Sequence, residues 1–259
     1  IQAQEIRMAG DIQIRKMPSR VMGLERVRDN VMFIKLQLPP AEPFRYYAGQ
    51  YLEFILRSGE LRSYSMANAP SDDNMVELHI RHMPGGVFTD HVFGAGETAM
   101  KVREILRVEG PLGSFFLRED SNKPIVFLAS GTGFAPIKAL VERMQQTGNT
   151  RPVVLYWGGR RPSDLYMDEL ARQWADSLPD FRYVPVVSDA LPEDDWHGRS
   201  GFVHQAVLED FPDLSDYQVY ACGTPVMVEA ARRDFTRQAG LPDNEFYADA
   251  FTSQADTHK

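Results

Sequence analysis

The chain has 259 residues, of which 43% are hydrophobic and 25% are charged, and its formal net charge is −8 at pH 7. This composition is typical of a globular protein, and the acidic charge argues against binding to nucleic acid. No apolar run reaches the roughly 20 residues that span a bilayer, and residues 1–16 lack a secretory hydrophobic segment, so we expect a cytoplasmic protein without a membrane span.

The cysteine and histidine content argues against two further classes of protein, those with a four-cysteine iron–sulfur cluster and those with a histidine metal site. The single cysteine, Cys222, cannot form an intramolecular disulfide, and one thiolate cannot hold an iron–sulfur cluster that needs four. The six histidines show no HxxxH or HExxH spacing, so no metal site is predicted.

The first half of the chain has a balanced charge and short β-like segments. Residues 1–118 have 15 basic and 14 acidic side chains. Segments rich in β-branched or aromatic residues alternate with proline and glycine turns. The predicted strands are Ser19–Val27, Met32–Gln37, Tyr51–Ile55, Arg62–Met66, Val76–Arg81 and Glu104–Glu109. They predict an antiparallel barrel over residues 1–118.

The second half is acidic, with 13 basic and 22 acidic side chains in residues 119–259, and its strands alternate with helices. The predicted strands are Ile125–Ala129, Val153–Trp157, Phe181–Val187 and Gln218–Cys222. The predicted helices are Pro136–Gln146, Ser163–Ser177, Val203–Leu208 and Pro225–Gln238. This alternation predicts a doubly wound parallel sheet, with the domain boundary near Arg118–Asn122.

Two motifs lie in the predicted barrel. In Arg62–Ser65, strand alternation places Arg62 and Tyr64 on one face, where a guanidinium can pair with phosphate and a ring can cover a planar heterocycle. The segment His79–Arg81 leads into Gly85–Thr89, where backbone N–H groups and a hydroxyl can hold a second phosphate. Taken singly, an exposed strand face and a hairpin-like turn explain these segments as well.

Two motifs follow predicted strands of the second half. The glycine-rich turn Ala129–Pro136 opens a helix, and its N-terminus favours a pyrophosphate, although the sequence is not GxGxxG. The segment Ala221–Pro225 ends another strand before a helix, at the edge where such sheets bind ligands. A tight turn and an inert buried cysteine are the alternatives. The aromatic stretch Phe246–Phe251 either caps the core or provides a ring to cover a cofactor.

The order of these five motifs, from about Lys16 to Phe251, resembles the ferredoxin–NADP⁺ reductase superfamily. The segments Gly110–Phe115 and Tyr156–Arg161 look closest to bacterial CDP-6-deoxy-glucoseen reductase-like and oxygenase-reductase proteins. The resemblance implies a FAD-binding barrel followed by an NAD(P)-binding domain, and an NAD(P)H-dependent flavoprotein reductase.

The resemblance also implies roles for individual residues. Arg62 neutralises the FAD pyrophosphate, Tyr64 packs on the isoalloxazine, and Ser65 lies near the flavin N5. Cys222 lies near the nicotinamide C4, and Phe251 stacks on the flavin; Asp249 occupies a position where relatives have a longer Glu, which leaves its role open. The full set of implied cofactor-binding residues is Arg62, Ser63, Tyr64, Ser65, His79, Ile80, Arg81, Gly85, Gly86, Val87, Phe88, Thr89, Gly131, Thr132, Gly133, Pro136, Gly159, Arg160, Ser188, Asp189, Cys222, Gly223, Pro225 and Phe251.

The residues favour NADH over NADPH. NADPH-using members of the family that this chain resembles have an Arg after a Ser or Thr at the end of the third strand of this domain, where this chain has Ser188 and Asp189. A carboxylate there can accept from a ribose hydroxyl and would repel a 2′-phosphate. Arg160 and Arg161 argue the other way because both can pair with phosphate.

The electron acceptor is expected to be a separate protein or a fused domain. Related reductases often have a fused [2Fe–2S] domain, and we expect that such a domain preceded Ile1 and is absent here. Two other functions stay open: a flavin reductase that uses free flavin as substrate, and a non-catalytic flavin-binding electron-transfer or sensor subunit.

Overall fold

A computed structural model describes residues 12–251, so most of the N-terminal segment considered above lies outside the described residues. The chain divides into two compact units. The first ends at Leu117 and also contains Lys138–Gln146, and the second contains Arg118–Ile137 and resumes at Thr147. Among the described helices, none has the length and apolar character that crossing a bilayer requires.

The first unit is built on six antiparallel strands. They are β1 (Arg15–Arg28), β2 (Val31–Gln37), β3 (Tyr51–Ile55), β4 (Leu61–Ser65), β5 (Met75–Arg81) and β6 (Ile105–Leu112). Their order in the sheet is β4-β3-β6-β1-β2-β5. A bridge between Met66, directly after β4, and Leu78 of β5 joins the two outer strands and closes the barrel. One short helix, α1 (Val87–Phe93), follows β5.

The inward-facing side chains of these strands form the core of the first unit. Ile34, Leu36, Leu52 and Leu78 have no exposed surface, as alternation on a half-buried strand requires. Phe88 of α1 stacks on Phe54 of β3 with ring centroids 4.5 Å apart, which fixes the helix against the barrel.

The second unit is a parallel sheet in the order β10-β9-β8-β7-β11-β12. The strands are β7 (Ile125–Ser130), β8 (Val153–Gly159), β9 (Phe181–Val187), β10 (Arg199–Ser200), β11 (Gln218–Gly223) and β12 (Phe246–Ala250). The helices are α2 (Phe134–Thr147), α3 (Asp168–Ser177), α4 (Val203–Asp210) and α5 (Pro225–Gln238). The strand order reverses between β7 and β11, so their carboxyl ends form the topological switch point. The predicted fold class, an antiparallel barrel followed by a doubly wound parallel sheet, is confirmed.

Three details differ from the sequence-based expectations. The helix expected over Ser163–Ser177 begins only at Asp168, because Leu165 and Tyr166 leave helical geometry to become buried. Gly110, expected to end a strand, lies inside β6, where a Cβ atom would be 2.4 Å from Leu52 Cδ2; this glycine permits close strand packing. The terminal aromatic stretch forms an additional strand, β12, parallel to β11.

Candidate functional site

Strand β4 presents Arg62 and Tyr64 on one side, as predicted from alternation. The Arg62 guanidinium is 3.3 Å from Glu60 Oε2. The Tyr64 ring packs against Phe54 and Phe88, with centroids 5.9 and 5.5 Å away. Burial raises the pKa of Tyr64 well above its usual range, so the phenol stays neutral. A cation and a neutral aromatic ring therefore share one strand face.

The two serines of this motif differ in their surroundings. Ser63 is exposed, and its hydroxyl donates to Glu53 Oε1 at 3.0 Å. Ser65 is only 6% exposed and pairs with Tyr51 in the β3–β4 register. Ser65 is thus a buried residue at the end of β4, whereas the Ser63 hydroxyl forms a hydrogen bond at the surface.

Strand β5 brings a second group of predicted residues beside the first. His79 is fully buried, stacks on Phe33 at 4.1 Å, and forms a hydrogen bond of 3.0 Å with Glu77. Burial lowers the pKa of His79, so its ring is neutral. Ile80 is buried and Arg81 is half-buried. The His79 ring is thus enclosed by its neighbours, whereas Arg81 keeps part of its surface exposed.

The Gly85–Thr89 turn is closed by its own side chains. The Thr89 hydroxyl donates to Met83 O at 2.8 Å and accepts from Met83 N at 3.2 Å. A Cβ atom on Gly86 would lie 2.8 Å from Thr89 Oγ1, so the turn needs glycine there. Gly85 has a φ of +84°, and Val87 is exposed. The Thr89 hydroxyl, which we expect to hold a phosphate, therefore also fixes the shape of the turn.

In the second unit, the glycine-rich turn and the end of β11 meet at the switch point. A Cβ atom on Gly133 would lie 2.1 Å from Cys222 O, and one on Gly223, whose φ is +143°, would lie 2.1 Å from Ser130 Oγ. Ser130 Oγ accepts from Thr224 N at 3.1 Å. Backbone approaches backbone here so closely that only glycine fits at both positions.

The ends of β11 and β12 position three further predicted residues. Cys222 pairs with Asp249 in the strand register, and Phe251 N donates to Gly223 O at 2.8 Å. Burial, followed by the negative charge of Asp249, raises the pKa of the Cys222 thiol well above its usual range. The thiol is therefore protonated and has no exposed surface. Phe251 itself is half-buried.

Helix starts complete this edge of the sheet. Gly131 and Thr132 are half-buried, and Gly131 has a φ of +52°. Pro136 lies in the first turn of α2 and Pro225 opens α5, positions where the missing N–H has no helical partner. The open N–H groups at such helix starts favour an anion.

Backbone hydrogen bonds continue between the chain segments that follow β8 and β9. Ser188 N donates to Gly159 O and Asp189 N donates to Arg160 O, both at 2.9 Å. The exposed side chains of Arg160 and Asp189 form an ion pair of 3.0 Å. Arg161 forms two hydrogen bonds of 2.7 Å with Asp194. Both arginines considered for phosphate binding are thus already paired with carboxylates.

Two features of the site were missed by the sequence-based reasoning. Lys138, a buried residue of α2, contacts Glu77, Glu142 and the carbonyl of Ala67. The sequence signal for this cluster is a lysine at a helix position that otherwise faces the core. Trp157 donates its indole N–H to Gly131 O at 2.9 Å, directly in the glycine-rich turn. Within residues 12–251, no cluster of three or more His, Cys, Asp or Glu side chains forms a potential metal site.

Comparison with known proteins matches both units. Residues 18–117 match the oxidoreductase FAD-binding domain and residues 127–233 match the oxidoreductase NAD-binding domain. The CDP-6-deoxy-L-threo-D-glycero-4-hexulose-3-dehydrase reductase of Yersinia pseudotuberculosis is 46% identical over 240 residues, covering 93% of this chain and 70% of that protein. Protein RfbI of Salmonella typhimurium is 41% identical, covering 91% and 68% respectively.

A solved structure shows the same fold. The Amycolatopsis cytochrome P450 reductase GcoB superposes with a TM-score of 0.84 and 34% identity, covering 93% of this chain and 71% of that chain. The fold and the two cofactor-binding domains define a flavin- and nicotinamide-dependent oxidoreductase. The chain belongs to the ferredoxin–NADP⁺ reductase superfamily, in the group that includes the hexulose-dehydrase and oxygenase reductases.

The residues present fit FAD and a nicotinamide dinucleotide. Arg62 and Arg81 provide cations in the first unit, and Tyr64 provides a neutral ring next to Arg62. In the second unit, Gly133 and Gly223 allow the glycine-rich turn to pack against the end of β11, which places two helix starts at the switch point, where a pyrophosphate can bind.

Proposed function

We propose that this chain takes a hydride from NADH onto bound FAD and passes the electrons to an iron–sulfur protein or another redox partner. Bound FAD supplies the redox chemistry, since it accepts two electrons together and releases them singly. The proposal assigns residues 1–118 to FAD and residues 119–259 to the nicotinamide dinucleotide.

The observation that best supports this proposal is the close approach at the switch point of the parallel sheet. Glycine at 133 and 223 lets the glycine-rich turn and the end of β11 lie directly against each other, because a Cβ at either position would collide with Cys222 O or Ser130 Oγ. The two strand ends therefore form the edge at which doubly wound sheets bind ligands. Thr224 N is oriented by Ser130 Oγ, so the start of α5 is fixed before a ligand arrives. A preformed site reduces the ordering cost of binding.

We assign distinct roles to the predicted side chains. Arg62 binds the FAD pyrophosphate, Tyr64 supports the flavin ring, and Ser65 donates a hydrogen bond near the N5 atom. Cys222 acts as a neutral, packed group beside the nicotinamide, since a protonated and enclosed thiol is not a nucleophile. Phe251 covers a cofactor ring, and orientation of the two rings makes hydride transfer effectively unimolecular.

NADH is the proposed hydride donor. Asp189 is exposed at the end of β9, where its carboxylate can accept from a ribose hydroxyl and repel a 2′-phosphate. Arg160 is engaged by the same carboxylate at 3.0 Å, so it is less available to a phosphate than the sequence suggested. Asp194 likewise occupies the guanidinium of Arg161, so both arginines at this edge are already paired with carboxylates.

The proposed acceptor is a one-electron carrier in the cytoplasm. The Yersinia relative is named a dehydrase reductase and the Amycolatopsis structure a cytochrome P450 reductase, so systems of either kind are candidates. A [2Fe–2S] cluster takes part only if a separate protein or a fused domain supplies it, because this chain has one cysteine.

The test is an anaerobic absorbance spectrum of the gel-filtered protein, before and after addition of an equivalent of NADH. We expect bound flavin that bleaches with NADH, more slowly with NADPH, and that then reduces an added [2Fe–2S] ferredoxin. Flavin lost on gel filtration and turned over only when added free would instead identify a flavin reductase. Bound flavin that NADH does not bleach would identify a non-catalytic flavin-binding subunit.

A further inference from the structure

A cluster of charged and titratable side chains, two of them buried, lies between β5 and α2. It consists of Glu77 and His79 of β5 with Lys138 and Glu142 of α2, and we name it the lysine cluster. Lys138 Nζ is 3.2 Å from Glu77 Oε1 and 2.6 Å from Glu142 Oε1. The same Glu77 oxygen is 3.0 Å from His79 Nε2. All four residues belong to the first unit.

The cluster holds the chain segment that directly follows Ser65. Lys138 Nζ donates to Ala67 O at 3.0 Å, and Ala69 N donates to Glu142 Oε2 at 2.9 Å. On the other side, Ala67 N donates to the backbone carbonyl of Glu77 at 2.7 Å. Residues 66–69 are therefore fixed between β5 and α2 by one ammonium and one carboxylate.

We propose that Lys138 is a positioning residue for the flavin site, acting through Ala67 on Ser65 and through Glu77 on β5. Ser65 is two residues from Ala67, and Arg81 is two residues from His79 along β5. Loss of the ammonium leaves the Ala67 carbonyl and two carboxylates with fewer partners in a buried place. The segment then shifts to find new partners, and Ser65 shifts with it.

A purely structural role for the cluster makes a different prediction. A buried ion pair is weak evidence for function, because its loss destabilises any fold. Arg151 in the second unit provides a matched comparison: it is 7% exposed, like Lys138 at 8%, and it also donates to backbone carbonyls, those of Lys123 and Arg118. If burial alone matters, replacing either cation has the same consequences.

The experiment measures FAD affinity by fluorescence titration of flavin-depleted protein, together with the melting temperature and the visible circular dichroism of FAD-saturated protein. The variants are Lys138→Met, Lys138→Arg and the control Arg151→Met. We expect Lys138→Met to bind FAD about tenfold or more weakly, a loss typical of one charged hydrogen bond, and to change the flavin dichroism at saturation. Lys138→Arg should recover most of the affinity, and Arg151→Met should lower the melting temperature with wild-type FAD affinity.

Several outcomes would overturn the proposal. One is a Lys138→Met protein with wild-type FAD affinity and dichroism; another is an equal loss of affinity in Arg151→Met. If Lys138→Met does not fold, Glu142→Ala is used in its place, because Glu142 is about one-third exposed and accepts a hydrogen bond from Ala69 N. Unchanged FAD affinity in Glu142→Ala also overturns the proposal. The inference rests on the proposed function, so a wild-type protein that binds no FAD refutes both. If the wild-type protein binds FAD and the variants bind it equally well, this inference alone is refuted.

Discussion

The acid stability of the first unit should depend on the Glu77 carboxylate. Burial alone would raise its pKa, but the hydrogen bond with His79 and the charge of Lys138 outweigh burial and lower the pKa from 4.5 to about 2. A group whose pKa is lowered by folding stabilises the fold above its unfolded-state pKa. That stabilisation is lost as the pH falls from about 4.5 towards 2.

The size of the effect follows from this difference in pKa. Each unit of pKa shift corresponds to about 1.4 kcal/mol of stability, so the fall in the pKa of Glu77 from 4.5 to about 2 corresponds to about 3 kcal/mol. Burial keeps His79 neutral, so its charge adds nothing, and we reduce the expected value to about 2 kcal/mol. Glu77→Gln should therefore be less stable than wild type by about 2 kcal/mol near neutral pH, and this difference should shrink steadily in acid.

The assay is urea unfolding followed by circular dichroism, at fixed FAD concentration and at several pH values between neutral and about pH 3. Glu97→Gln is the control, because Glu97 is exposed in the same unit and should show no such difference. A stability difference for Glu77→Gln that stays constant with pH, or that is absent at neutral pH, would refute the reasoning.

Three further outcomes are expected. Gly133→Ala should abolish NAD⁺ binding or prevent folding, because the new Cβ atom would lie 2.1 Å from Cys222 O. The control Gly23→Ala, whose Cβ atom would have no contact under 3.7 Å, should bind NAD⁺ like the wild type in equilibrium dialysis. Cys222 should not react with a chromogenic disulfide reagent in the native protein at mildly alkaline pH, and should react at once in denaturant; rapid native labelling would contradict its burial and raised pKa. Asp189→Asn should lower the ratio of kcat/KM for NADH to that for NADPH about tenfold, a typical result of removing one repulsive charge, and an unchanged ratio would show that Asp189 does not select the dinucleotide.

Local sequence patterns were sufficient for most of the fold. The alternation in β2 and β5 and the glycine-rich turn after β7 are short-range signals, and the observed strands Tyr51–Ile55 and Phe181–Val187 have the predicted bounds. Errors arose where tertiary packing decided the structure. Tyr166 leaves the expected helix to pack edge-on against Phe134 and Trp157, with centroids 6.2 and 5.2 Å away, a contact that no local pattern contains.

The candidate site was predictable in a similar, partial way. Motifs beside glycines indicated which strand ends matter, and those assignments stay predictions until ligands are tested. The partners of charged residues were not predictable, because ion pairs join residues far apart in the chain. Arg160 is 29 positions from Asp189, and Glu77 is 61 positions from Lys138. Sequence reasoning therefore treated Arg160 as available to a phosphate, whereas its guanidinium is paired.

The hydrogen bond from Trp157 to the glycine-rich turn provides an optical reporter within the native chain. The indole is fully buried, stacks on Phe134 at 3.9 Å, and donates to Gly131 O at 2.9 Å. Indole emission responds to nearby electric fields, so an anion arriving at this turn should alter the fluorescence of Trp157 directly. With Trp174 and Trp196 replaced by phenylalanine, dinucleotide binding could be followed in stopped flow before any electron moves, without an attached dye.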